Sequence, residues 1–280
     1  MEITMRKSAL ICIVLGLIVF PVVYGFSQDN DTKDEPWERV SLRVGGFGTV
    51  MNSSIRFGLT EGTGLDVSIE DTLGLDQSLL SLRVDGSWRF SKNLRHRFDV
   101  GYTFYNRSAT REVQEDFDLG DETIEAGTII DSVYNISIIK LLYIWPFLQD
   151  ERVDLGIGAG LYMMPLTIKV TGEDISPKFQ DITAPLPVFD LSMGVVVTPK
   201  TYFRMRIDAF YIRIGNYVGS IMDYELDYEW RFWKYAGIGI GFEAFRMRIE
   251  GKGDGSGLGQ QGGKIVTEYN GILLYAKFYY

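Results

Sequence analysis

The chain has 280 residues, one histidine, one cysteine and a net charge of −9, with 37 acidic side chains against 28 basic ones. That acid surplus offers no footprint for nucleic acid. A mean hydropathy of +0.01 with only one long apolar run, at the N-terminus, excludes a bundle of spanning helices, each of which needs about 20 consecutive apolar residues.

The first segment carries Arg6 and Lys7, then an apolar run over 8–24 that ends among small residues near Gly25 and Ser27. This order predicts a secretory signal peptide over 1–25; a membrane anchor is the alternative, but the run is short and ends abruptly. Cys12 lies inside it, so the mature chain is expected to hold no thiol. An acidic segment, 26–37, leads into a single domain over 38–280, with no composition break or linker beyond it.

From there on, strand-like segments recur to the C-terminus, predicted at 38–60, 78–90, 95–109, 127–148, 152–172, 184–198, 201–214, 221–233, 236–250 and 264–280. In MDYELDYEWRF, residues 222–232, one face holds Asp223, Glu225, Asp227, Glu229 and Arg231 and the other Tyr224, Leu226, Tyr228, Trp230 and Phe232. A period of two separates these sets on a strand, whereas a helix mixes them. The same pattern sets Leu80, Leu82 and Val84 against Arg83 and Asp85, Phe98 and Val100 against Asp99, and Phe203, Met205 and Ile207 against Arg204, Arg206 and Asp208.

Two kinds of protein make such strands: a soluble sandwich turns the apolar face inward, and a membrane barrel turns it outward. The connections decide. Short turns at 91–94, 149–151, 198–200 and 233–235 alternate with longer polar loops at 61–77, 110–126, 173–183 and 251–263; only the connection 215–220 is short on the loop side. Strands mostly of 11 or more residues also exceed the mode of about 5 to 6 in soluble sheets. The fold class expected is therefore all-β: a transmembrane antiparallel up-and-down β-barrel of about ten strands, with eight to twelve admitted, and with both termini at the short-turn end. Aromatic residues near strand ends, such as Tyr143, Trp145, Phe147, Trp230 and Trp233, fit interfacial girdles.

The polar faces then share a lumen. Pairing 201–214 with 221–233 about Asn216 sets Arg204 opposite Glu229 and Arg206 opposite Asp227. A ladder of ion pairs is expected there, supplemented by Arg43, Arg83, Asp85, Arg89, Asp99, Lys140, Asp190 and Glu243, with Asp208, Asp223 and Glu225 on the same faces. Eight strands leave an interior that side chains just fill, so ten predict a nearly plugged one.

The chain ends GILLYAKFYY, in which Ile272, Leu274, Ala276, Phe278 and Tyr280 alternate and finish on an aromatic. In this ending the chain resembles small monomeric bacterial outer-membrane β-barrel proteins. The resemblance implies that Phe278 and Tyr280 are read by the barrel-assembly machinery, that outer-membrane lipid and lipopolysaccharide surround a monomer, and that 26–37 is a short periplasmic segment. Tyr280 departs from the more usual terminal Phe. The chain is also similar to the small W-type porin group, whose eight strands and apolar channel differ from the ten strands and charged interior expected here.

Chemistry has few footholds. Outer-membrane hydrolases share such a scaffold, and the family places their histidine or serine sites near the outer leaflet, but His96 falls at a short turn. The loop stretch GLGQQG at 257–262 matches a dinucleotide fingerprint formally, yet lacks the strand–turn–helix context that gives the motif its mechanism. Glu112, Glu115, Asp116, Asp118, Asp121, Glu122 and Glu125 read as a solvated loop, with calcium binding as the sharper alternative. No cofactor or catalytic residue is expected. The leading expectation is a non-enzymatic barrel that stabilises the envelope or passes small solutes weakly; the alternatives are an adhesin or ligand-binding barrel acting through its loops, and a hydrolase.

Overall fold

The computed structural model describes residues 36–57, 67–119, 122–172, 175–215, 217–251 and 263–280. The expected signal peptide and glycine-rich loop lie outside the described residues. Ten long strands run in sequence order around a ring: β1 (Val40–Phe57), β3 (Ser78–Arg89), β4 (Arg97–Glu112), β7 (Ile129–Gln149), β8 (Val153–Gly172), β9 (Ile175–Thr198), β10 (Thr201–Ile214), β11 (Tyr217–Trp233), β12 (Ala236–Gly251) and β13 (Gly263–Tyr279). Each pairs antiparallel with its neighbours, and β13 pairs back onto β1 from Ser41↔Tyr279 to Phe57↔Gly263. The ring is thus closed without a free edge, which an open sheet cannot be. Two short additions, β2 (Val67–Ser68) and the hairpin β5 (Phe117–Leu119) with β6 (Glu122–Ile124), sit among the loops.

Two strand starts differ from expectation. Residues 175–183, expected within a loop, belong to β9, which begins at Ile175, and β11 begins at Tyr217 rather than 221. The first part of β9 is largely polar, yet β8 supplies a partner for it as far as Gly172↔Ile175.

The period of two translates directly into an outside and an inside. On β11, Met222, Tyr224, Leu226, Tyr228 and Trp230 are exposed while Asp223, Glu225, Asp227 and Glu229 are buried. From Met222 to Trp230, at about 3.3 Å per residue and a tilt of roughly 40°, the exposed apolar stripe rises about 20 Å, close to the height of a bilayer's apolar band. Leu80, Leu82, Phe98, Ile157, Phe189, Leu191, Ile238, Phe242, Ile272, Leu274 and Phe278 continue the belt around the ring. At the short-turn end Tyr143, Trp145, Phe147, Trp230, Trp233 and Tyr235 form its aromatic rim.

At the loop end the wall is interrupted in two places. The β9–β10 ladder stops at Phe189↔Ala209. Val196 N donates to Arg152 O on the β8 side, so even-numbered residues of β9 direct their N–H to β8 and odd-numbered ones face β10. The next odd-numbered residues, Pro187 and Pro185, have no N–H to give. The second interruption lies between β3 and β4, which pair only from Arg83↔Thr103 to Arg89↔Arg97. The segment 67–77 fills the space above as a wedge, bonded to β1 by Ile69 N to Ser53 O and by Met51 N to Gln77 O, each at 2.9 Å.

Candidate functional site: the lumen

The inward side chains sort into three layers. In the middle, Arg43 reaches Asp85 at 2.8 Å, Asp227 at 2.7 Å and Glu225, and Arg83 reaches Asp85 at 3.0 Å, Glu225 at 3.1 Å and Glu243. Lys140 Nζ lies 2.6 Å from Asp223 and 2.9 Å from Glu243. Tyr162 Oη lies within hydrogen-bond reach of Asp208 and, at 2.9 Å, of Asp223, and Tyr269 Oη donates to Glu243 at 2.9 Å. Burying charge is costly unless each ion finds partners and its remaining lone pairs are bonded. Here eight strands contribute to one network, so the arrangement exists only when the ring is closed.

Towards the short turns the network continues around Glu38, just ahead of β1. Arg204 at 2.9 Å, Lys277 at 2.5 Å and Arg231 at 3.4 Å surround its carboxylate. Burial alone would push Glu38 upward; Arg204, Lys277, Arg231 and Arg89 together outweigh it and hold the carboxyl well below its ordinary value. Beside it Trp37 is buried, its Nε1 donating to Asp150 O at 2.6 Å and its ring under the Arg89 guanidinium. Residues 37 and 38 therefore stopper the short-turn end. Glu229 joins the same group through Arg204 at 2.5 Å, Lys277 at 3.2 Å and the Tyr279 hydroxyl at 2.6 Å. On the opposite wall Arg89 pairs with Asp154 at 2.5 Å, Arg97 with Asp99 at 3.2 Å, and Arg206 with Asp190 at 3.1 Å and with Asp99.

Towards the loops the interior turns apolar. Tyr269 stacks on Phe245 with ring centroids 4.8 Å apart and meets Phe47 edge-on at 5.9 Å. Met51, Ile55, Ile136, Leu166, Ile168, Ile221 and Met247 complete this layer, and Ile69, Leu73 and Leu75 of the wedge cover it. One ion pair is sealed inside: Glu70 of the wedge meets Arg107 of β4 at 2.5 Å.

The structure brings together every residue of the expected ladder, with one change of partners. Arg204 stands opposite Asp227 and Arg206 opposite Glu225, two residues from the expected register, because Ile214↔Tyr217 closes the hairpin one residue earlier than a turn centred on Asn216. Arg204 still pairs with Glu229, diagonally, while Arg206 reaches across to Asp99. Asp208 faces Asp223 on one side and Asp190 on the other, and among the described residues no cation lies within salt-bridge distance of it. Sequence reasoning missed Trp37, Glu38, Lys277 and the hydroxyls of Tyr162, Tyr269 and Tyr279. Lys277 was recoverable, since it alternates with Phe278 in the terminal strand.

A cavity of about 100 Å³ lies between the middle layer and the Trp37–Glu38 stopper, lined by Arg43, Arg97, Arg206, Asp85, Asp99 and Lys277 among others. That is space for about three waters. His96 lies in the turn after β3, its Nδ1 2.7 Å from Tyr143 Oη, and away from this cavity's lining. In the acidic loop Asp116 accepts from Ala126 N at 2.8 Å, and among the described residues no three acidic, histidine or cysteine side chains converge as a metal site. Phe278 is exposed on the outer wall, and Tyr280 O accepts from Arg39 N and Val40 N at 3.0 and 2.9 Å, tying the last strand to the first.

No family model matches the sequence, and a search of the curated proteins finds no match. Among solved structures, the chain is similar to the outer membrane protease OmpT from Escherichia coli, with a TM-score of 0.53 and 9% identity, covering 86% of this chain and 96% of that one. The translocator domain of the autotransporter NalP from Neisseria meningitidis has a TM-score of 0.39 and 11% identity, covering 96% and 97%. The P. putida toluene transporter TodX has a TM-score of 0.35 and 8% identity, covering 95% and 94%. At such identities the likeness to OmpT speaks for the fold alone: this is a small β-barrel of the bacterial outer-membrane type.

Proposed function

We propose that this chain is a non-enzymatic, monomeric outer-membrane barrel with a closed lumen, which contributes a rigid, charge-pinned element to the envelope and passes small solutes weakly at most. The observation that carries this reading is the sequence of closures along the axis: stopper, ion-pair layer, aromatic layer and wedge, with a cavity of about 100 Å³ between the first two. In this reading the leader 1–25 directs export and is removed, the short turns face the periplasm, and the loops face outward. The assembly machinery recognises the strand ending in Phe278 and Tyr280, and outer-membrane lipid and lipopolysaccharide surround the belt. The non-enzymatic part is supported by the position of His96, whose ring nitrogen meets a tyrosine rather than a carboxylate.

Planar-bilayer recording tests it. Wild-type protein is expected to insert without resolved current steps, and uniform steps from the wild type would overturn the closed lumen. Turnover of a lipid or peptide substrate that is lost when Asp116 and Glu115 are replaced by Asn and Gln would overturn the non-enzymatic assignment.

A further inference from the structure

The outer faces of β12, β13 and β1 change character at a single level. Cross-strand partners align Phe242, Ile272 and Gly48 in one row and Ala244, Asn270 and Val50 in the next. Above these, Arg246, Glu268 and Asn52 form a row, then Arg248, Val266 and Ser54, then Glu250, Lys264 and Arg56. Ile272 and Phe242 are exposed apolar side chains of the belt. The Val50 row is therefore the upper edge of the apolar band, and four cations stand within three rows above it.

Two of those cations are already oriented. Arg246 Nε lies 3.0 Å from Glu268, and Arg248 pairs with Glu250; both arginines keep much of their side chains exposed, so a further anion has access to them. Immediately beside the Arg246 row, a groove of about 330 Å³ runs between this wall and the wedge, lined by Val50, Asn52, Asn270, Glu268, Asp71 and Gln77. Three side-chain amides and two carboxylates in one groove supply donors and acceptors in the mixture that a polyhydroxylated ring needs. Guanidinium groups match phosphate oxygens bidentately.

We propose that this face holds the headgroup of a phosphorylated glycolipid from the adjoining leaflet. The acyl chains lie along Ile272 and Phe242, the sugar occupies the amide groove, and the phosphate meets Arg246 and Arg248. A glycerophospholipid satisfies the arginines but leaves the groove unfilled, so the glycolipid is the favoured occupant. The proposal rests on the outer-membrane reading above and deepens it by naming the residues that meet the lipid.

The test uses full-length protein refolded in detergent and mixed with purified lipopolysaccharide, its enzymatically dephosphorylated form, or phosphatidylglycerol. Retention is read by native mass spectrometry, with heat-dependent gel mobility reporting the fold. Wild type is expected to retain lipopolysaccharide at least tenfold more tightly than phosphatidylglycerol. R246Q/R248Q is expected to lose about tenfold for lipopolysaccharide and nothing for the dephosphorylated form, while N52A/N270A weakens both glycolipids and leaves phosphatidylglycerol unchanged. Exposed ion pairs contribute little to stability, so the folded-band mobility of the arginine variant should match wild type. Equal retention by wild type and a folded R246Q/R248Q, or equal affinity of wild type for phosphatidylglycerol, would overturn the site. Wild type that inserts into vesicles but retains no glycolipid defeats this proposal alone, whereas failure to insert defeats the outer-membrane reading.

Discussion

Glu70→Ala should be among the most damaging single changes in the chain, although Glu70 lies in a loop. Its carboxylate accepts from Arg107 at 2.5 Å and from Ser53 N at 2.8 Å, and the side chains of Glu70 and Arg107 are 2% and 0% exposed. Removing the acid leaves a buried guanidinium that, among the described residues, keeps Ser53 Oγ at 3.1 Å, Asp76 O at 3.5 Å and the face of Tyr134 at 4.5 Å. Breaking a buried pair from one side costs about 3 to 5 kcal/mol; the remaining partners put the expectation near about 3 kcal/mol. Replacing both members, E70M/R107M, removes the charges together and should cost less than about 1 kcal/mol, so with E70M and R107M each costing about 3 kcal/mol the double-mutant cycle should return a coupling of about 5 kcal/mol. The assay is urea unfolding in lipid vesicles followed by tryptophan fluorescence, for wild type, both single variants and the double variant. A cost below about 1 kcal/mol for E70A, or a double variant as unstable as the sum of the singles, would refute the idea that this pair latches the wedge into the wall.

Two further expectations concern the other end and the wall. Glu38 is held below its ordinary value in the folded barrel, so its contribution to stability is fully present above about pH 4.5 and is lost as pH falls through the depressed folded value. E38Q should cost about 3 kcal/mol at neutral pH, and the gap between variant and wild type in urea titrations should narrow below about pH 4.5; a gap independent of pH would contradict it. In the wall, a Cβ at Gly160 would overlap the Leu141 carbonyl and approach Leu142 Cα to 2.9 Å, whereas at Gly48 it meets only Ile272 O at 3.9 Å. G160A should therefore cost about 1 to 3 kcal/mol while G48A stays within about 0.5 kcal/mol of wild type, and the reverse order by the same unfolding assay would discredit the close approach of β7 and β8.

The closures explain why a ten-stranded ring holds so little space. Arginine and glutamate side chains reach from opposite walls to the axis, as Arg43 on β1 does to Glu225 on β11, and in doing so cross-brace strands that share no backbone hydrogen bonds. Tyr162 and Tyr269 add hydroxyl donors from walls with few cations, so that Asp223 and Glu243 are bonded from two sides. At the loop end the same task falls to aromatic and aliphatic packing. Among the described residues, the change of chemistry along one axis leaves the apolar layer free of buried charge apart from the sealed Glu70–Arg107 pair.

Strand positions and faces were legible because each depends only on the residue's own parity. Asp223 to Glu229 share one face and Tyr224 to Trp230 the other whatever the rest of the chain does. The alternation of short turns and long loops settled which face meets lipid, again without tertiary information. Register was a different matter: a slip of two residues keeps every side chain on its face, so Arg204 opposite Glu229 and Arg204 opposite Asp227 are indistinguishable in sequence until the hairpin closes at Ile214↔Tyr217. Pro185 and Pro187 read as loop residues, since proline withholds a donor from the sheet. They are tolerated in β9 because the donor is missing only towards β10, where the ladder ends.

By itself, then, the sequence determined a ring of about ten alternating strands with acids and arginines inside. Only the tertiary structure decided who pairs with whom across the lumen, that Trp37 and Glu38 close one end and the 67–77 wedge the other, and that the upper half of the interior is apolar. The physical reason is one of range. Side-chain parity is a local property of a strand, whereas Lys277 meeting Glu38, or Arg107 meeting Glu70, requires the curvature and stagger of the closed wall to bring distant strands within 3 Å.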